Sequence, residues 1–132
     1  MHQNELSGMI IGAAIEVHKQ LGGPGLLEDV YEEALCYELQ LRGIHVDRQV
    51  AIPVVYKEKQ LKKPLYLDIL IEKQIIIEVK ATEKKNPLFA AQLLTYLRLT
   101  SLRLGLVINF GEKVLKNGVE RVINGYDDPI SL

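Results

Sequence analysis

Between Ile71 and Ile75 lie only three residues, Glu72-Lys73-Gln74. The flanking runs, PLYLDILI (64–71) and IIIEVKA (75–81), are rich in β-branched and aliphatic residues and read as strands. So short a connection makes them antiparallel neighbours. A three-residue turn sets Ile71 against Ile75 and, three positions on, Asp68 against Glu78. Opposed residues share a face and lie close. A two-residue turn without a bulge would send Asp68 to the other face. Lys80, two residues beyond Glu78, shares the face of Glu78. Two carboxylates side by side destabilise a sheet unless positive charge lies between them. A divalent cation would supply it, and hard oxygen donors with room for water suit Mg²⁺ or Mn²⁺. Lys80 could then orient a water nucleophile or stabilise charge developing on phosphorus. In isolation the same three residues also suit a solvated ion-pair network, but here the acids interrupt apolar strands.

The rest of the chain supplies a frame for that pair. Ile10, Ile11, Ala14, Val17 and Leu21 follow helical spacing and predict a first helix over 7–21, ended by GGPG (22–25). A second helix follows, with Leu27, Val30, Tyr31, Ala34 and Leu41 as its apolar stripe and Gly43 as its stop. VAIPVVY (50–56) reads as the first strand of a meander. Residues 86–101 form a helix with Pro87 early in it, and 102–110 is a strongly apolar strand. A strand, a helix and a strand suggest a right-handed parallel crossover. KVLKNGVERVI (113–123) predicts a hairpin turning at Asn117-Gly118. The expectation is one α/β (α+β) domain over 1–132, a mixed sheet carrying helices.

Charge and composition narrow the partners. Lys and Arg number 16 against 17 Asp and Glu, a net charge of −1, which does not favour tight non-specific binding to nucleic acid. The basic clusters at 57–63 and 83–85 read as solvated turns. The single Cys36 cannot form an internal disulfide and fits a reducing compartment. One cysteine and three scattered histidines match no familiar zinc spacing. The apolar stretch GMIIGAAIEV has no basic segment before it and is interrupted by Glu16, His18 and Lys19, so it reads as a mature helix of a cytoplasmic protein. No stretch reaches membrane-spanning length. His18, beside the apolar stripe and without a visible partner, reads as a core-edge histidine.

Gln92 and Tyr96, four apart on the helix after the acid pair, share a face and could hold the site water or a phosphate. Glu28 lies in the first turn of its helix, where the dipole favours a carboxylate. Asp68 followed by Glu78-Val79-Lys80 resembles the PD-(D/E)XK nuclease superfamily motif, and Gln92 with Tyr96 resembles the QxxxY motif of its exonuclease branch. Gly25-Leu26-Leu27-Glu28-Asp29-Val30-Tyr31 is similar to the signature of the bacterial GxxExxY proteins, and the similarity runs through most of the chain.

The resemblance implies a restriction-endonuclease-like core in α-β-β-β-α-β order, with flanking helices and a C-terminal β-hairpin, and Mg²⁺-dependent hydrolysis of phosphodiester bonds. It implies Asp68 and Glu78 as metal ligands together with the Val79 carbonyl, Glu28 as an additional acid at the metal, Lys80 assisting the nucleophile, and Gln92 and Tyr96 as a supporting pair. Two positions depart from the pattern: Tyr66 stands where many relatives carry arginine, and Phe89 where many carry histidine. The expected substrate is nucleic acid, DNA before RNA, with a non-catalytic binding module or a subunit of a larger assembly as the other readings. A homodimer closing an edge strand of the sheet is expected.

Overall fold

The computed structural model describes residues 1–125. Helix α1, Gln3–Gln20, begins before Ser7 because His2 caps it: the imidazole Nδ1 accepts from the Asn4 N–H at 3.2 Å. Its buried face includes Ile10, Ala14 and Val17, as the spacing predicted, whereas Leu21 is the half-exposed C-cap.

Helix α2, Glu28–Leu41, turns inward a face that keeps Tyr31 and Ala34 of the expected stripe but leaves out Leu27, Val30 and Leu41. Tyr31, Glu32, Leu35, Cys36 and Leu39 are buried, while Leu27 is 77% and Leu41 63% exposed. The rotation is fixed at the start of the helix. The Tyr31 hydroxyl donates to the Gly23 carbonyl at 2.7 Å and accepts from the Leu26 N–H at 3.1 Å. Its ring stacks on Phe110 with centroids 4.6 Å apart. Gly25, at φ 118°, makes the bend that this clasp requires.

The strands are β1 Val46–Ile52, β2 Val55–Tyr56, β3 Lys59–Gln60, β4 Leu65–Ile71, β5 Ile75–Lys80, β6 Leu104–Asn109 and β7 Val119–Ile123, with helix α3, Pro87–Thr100, between β5 and β6. The main sheet runs β1-β4-β5-β6-β7, and only β5 and β6 are parallel in it. Two predicted strands are replaced. The run 50–56 is divided at Pro53, which cannot donate to a ladder; β1 pairs with β4, and β2 pairs only with β3 in a separate small hairpin. The run 113–123 holds no hairpin. Leu115–Gly118 is a 3₁₀ turn with Leu115 buried, and β7 after it pairs with β6. Gly118 is needed for close approach: a Cβ there would sit 2.2 Å from the Asn109 carbonyl oxygen.

The α-β-β-β-α-β core is present, and its two faces carry separate clusters. Ile75, Ile77 and Val79 pack with α1 and α2, and Ile76 packs with Leu93 and Leu97 of α3. Strand β4 changes sides partway: Leu65 and Leu67 join the α3 cluster, but Ile69 and Ile71 join the other. In a regular strand Leu67 and Ile69 would share a face. The change falls at Asp68, and opposite it on β1 Gln49 adopts φ 53°. His18 is a core-edge residue, buried with Nε2 2.8 Å from the Glu112 carbonyl. Among the described residues, no helix is long and apolar enough to cross a membrane.

Candidate active site

The β4–β5 turn is three residues long with the expected register, Ile71 against Ile75 and Ile69 against Ile77. Glu72 and Lys73 take φ of 50° and 54° to close it, and the Gln74 N–H reaches the Ile71 carbonyl at 2.8 Å. Beyond Ile69 and Ile77 the regular pairing stops, and side chains replace it. The Asp68 N–H donates to Glu78 Oε2 at 3.1 Å, and the Val79 N–H donates to Asp68 Oδ2 at 2.8 Å. Each carboxylate is thereby held by the other strand's backbone, and the two acids sit side by side where the sheet opens.

Both are shifted toward protonation. Glu78 is 4% exposed, and burial, then the neighbouring Asp68 charge, pushes its pKa up to about 8 against the opposing Asp68 N–H and Lys80. Burial pushes Asp68 up to about 6 despite the Val79 N–H, and the charges of Glu32 and Glu28 add to the rise. The Tyr96 hydroxyl is also raised, by burial first and then by Glu78 and Asp68, which places it within the field of the pair.

The other predicted residues lie about the end of β5 rather than in one pocket with the pair. Lys80 is half-buried, its Nζ 4.7 Å from the centre of the Phe89 ring. Where many relatives carry an imidazole, this chain therefore offers an aromatic face to its lysine. Glu28, the exposed first residue of α2, lines a cleft with Leu26, Leu27, Asp29 and Ala81. Gln92 is exposed and lines a different cleft with Lys80, Phe89 and Thr95. So Glu28 and Gln92 approach the end of β5 from separate clefts. Tyr66 points to solvent, 53% exposed. A roomier cleft of about 800 Å³ lies beside Thr82, Glu112 and Asn117 and includes neither acid.

One buried acid escaped the sequence reading. Glu32 is 4% exposed, bonded by Arg48 Nε at 2.5 Å and by the Gln49 amide at 3.0 Å. Its charge raises both Asp68 and Glu78. A signal was available: Glu32 stands at helical spacing from Leu35, Cys36 and Leu39, inside the true core stripe.

The end of β5 is braced by Asn109. Its Oδ1 accepts from the N–H groups of Thr82 (3.0 Å) and Gly111 (2.9 Å), and its amide donates to the Thr82 carbonyl (3.0 Å). Lys80 thus leaves a strand whose far end is tied to β6.

The donor set can be tested against the implied metal. Among the described residues, no three His, Cys, Asp or Glu side chains are grouped to hold an ion. Asp68 and Glu78 each engage one oxygen in a backbone hydrogen bond and keep a second. Two carboxylates and water form a hard-oxygen set of the kind Mg²⁺ accepts, since it retains several waters. The residues fit the ion, with most of its shell left to solvent.

A family model for the PD-(D/E)XK nuclease superfamily matches residues 4–122. No curated protein matches the chain. The crystal structure of SSO0001 superposes with a TM-score of 0.57 at 19% identity, over 78% of this chain and 53% of that one. The chain thus spans about half the length of that protein, and the likeness is one of fold.

Proposed function

Since the chain belongs to the PD-(D/E)XK nuclease superfamily, we propose that it is a metal-dependent nuclease, hydrolysing phosphodiester bonds of nucleic acid, DNA before RNA. The observation that carries this is the pairing of half-buried Asp68 with buried Glu78 at the point where the β4–β5 ladder opens. A fold stabilised only by burial would gain nothing from two adjacent carboxylates there.

Asp68, Glu78 and the Val79 carbonyl would hold Mg²⁺ or Mn²⁺, with Glu28 adding charge from α2. When bound, the ion would supply Lewis-acid charge and an acidified water. Lys80, steadied by Phe89, would orient that water or offset charge developing on the phosphate. Gln92 and the Tyr96 hydroxyl would position water or phosphate on the α3 side. A cytoplasmic setting agrees with the free Cys36. The unit acts as one nuclease-like domain and as a homodimer through β7.

Short DNA and RNA, single- and double-stranded, are incubated with Mg²⁺, Mn²⁺ or EDTA. Cleavage with metal is expected, lost in EDTA and reduced at least about a hundredfold in Asp68→Asn and Glu78→Gln. No cleavage of any substrate, with no heat on calorimetric Mg²⁺ titration, would reject the reading. A net charge of −1 favours a second reading, a nuclease-fold binding module or subunit whose partner grips the nucleic acid. Mg²⁺ binding without cleavage would favour it.

A further inference from the structure

Nine consecutive residues, 55–63, are exposed, and they form the small hairpin of β2 and β3. They carry Lys57, Lys59, Lys62 and Lys63 against Glu58 alone, a local charge of +3 in a chain of net charge −1. Apolar surface is exposed beside these lysines: Val55 is 58% exposed, Tyr56 61% and Leu61 41%. Lys57 Nζ lies 5.5 Å from the centre of the Tyr56 ring, so charge and aromatic surface are presented together. Pro53 and Pro64 bracket the hairpin and fix the backbone at its entry and exit. Lys57 and Glu58 are both held at positive φ, 47° and 71°, in the tight turn at its tip.

The hairpin is tethered close to the acids along the chain. It leads through Pro64 directly into β4, and Asp68 is three residues from Leu65 at the start of that strand. At about 3.3 Å per residue that is about 10 Å. The four lysines are 5 to 11 residues from Asp68, so an extended chain would set them at most about 16–36 Å from it, about five to ten base steps along a duplex.

We propose that this hairpin is an arm that grips the substrate's phosphate backbone within about ten nucleotides of the bond being cut, with Tyr56 stacking on a base or sugar. This rests on the nuclease reading. It answers how a chain of net negative charge could hold a polyanion: the positive charge is gathered on one projecting element, and the acids of α2 and the site lie elsewhere. Lysines contact phosphates without reading sequence, so the arm sets affinity and register rather than base preference.

Binding of fluorescein-labelled duplex and single strands to the full chain is measured by anisotropy in EDTA over a salt series. A variant with Lys57, Lys59, Lys62 and Lys63 all changed to Gln is compared with wild type. Tyr56→Ala is measured separately, as is a Lys19→Gln/Lys73→Gln control that removes charge from α1 and from the far end of β4. The arm variant should keep its melting temperature, since the hairpin pairs only with itself. It should bind at least about tenfold more weakly, and its slope of log affinity against log salt should fall by about two to four. In cleavage assays KM should rise with kcat little changed. Substrates trimmed to fewer than about five base pairs on the arm side should lose the difference between wild type and variant. An unchanged affinity and salt slope in the arm variant would overturn the arm and leave the nuclease reading standing, as would an equal loss in the Lys19/Lys73 control. A wild-type chain that neither binds nor cuts any nucleic acid would overturn both.

Discussion

A carboxylate that is 4% exposed and beside a second carboxylate resists ionisation. Glu78 holds its proton to about pH 8 in the folded chain, whereas an ordinary glutamate loses it near 4.5. Between those values the folded state binds more protons than the unfolded one, so stability falls as pH rises through that window. In EDTA, Glu78→Gln should therefore be more stable than wild type at pH 8.5, by about 2 kcal/mol or more, and the gain should shrink to near zero below pH 4.5. Mg²⁺ should raise the wild-type melting temperature at pH 8.5 and leave the variant little changed. Thermal melts across pH, with and without metal, measure both; a variant no more stable at pH 8.5 than at pH 4.5 would contradict the assigned burial. The approach of Asp68 to Glu78 was legible in the sequence because the three-residue turn sets the register up to Ile69 and Ile77; the break in β4 at Asp68, where carboxylates replace the ladder, carries no local sequence signal. For Glu32 the helical spacing signals burial, but its partners Arg48 and Gln49 stand on another element and no local spacing links them to it.

At the scale of elements, two glycines that look alike in sequence are held by different neighbours. A Cβ on Gly105 would come within 2.8 Å of the Leu93 methyls and 2.9 Å of its Cγ, so that buried side chain must shift as a whole. A Cβ on Gly118 would lie 2.2 Å from the backbone carbonyl of Asn109, which cannot move aside. Gly118→Ala should therefore cost about 2–4 kcal/mol and Gly105→Ala about 1–2 kcal/mol, read from urea unfolding midpoints. Equal costs would show that β7 can shift along β6. The same contact explains why Asn117-Gly118 read wrongly as a hairpin tip: the dipeptide signals a turn, but Gly118 serves close packing on β6. Helix α2 was misread by a comparable ambiguity. Its sequence holds two stripes, one with Leu27 and Leu41, the other with Leu35 and Leu39. Only the clasp of Tyr31 on Gly23 and Leu26, together with the Glu32–Arg48 pair, selects the second. Burial of α3, β5 and β6 was plain because their apolar residues are too many for any alternative face.

For the whole molecule, the two edges of the sheet are unlike. Strand β1 is guarded as edges usually are: Gln49 kinks it, Asp47 and Arg48 charge it, and Pro53 ends it. Strand β7 has neither proline nor positive φ, and among the described residues it pairs with β6 alone. Its sequence Val119-Glu120-Arg121-Val122-Ile123 suits an antiparallel copy of itself. A two-fold axis through Arg121 would set Val119 against the other chain's Ile123 and Glu120 against its Val122 on shared faces, with each Arg121 held toward α1 by Asn4 and Ser7. The pairing would join two sheets into one of ten strands and carry two acid pairs on a common frame. Light scattering at micromolar concentration should give a dimer mass. Ile123→Lys should return it to monomer by setting an ammonium against Val119 of the other chain. A monomer mass for wild type, or a dimer that ignores Ile123→Lys, would leave β7 an open edge and remove the two-site arrangement.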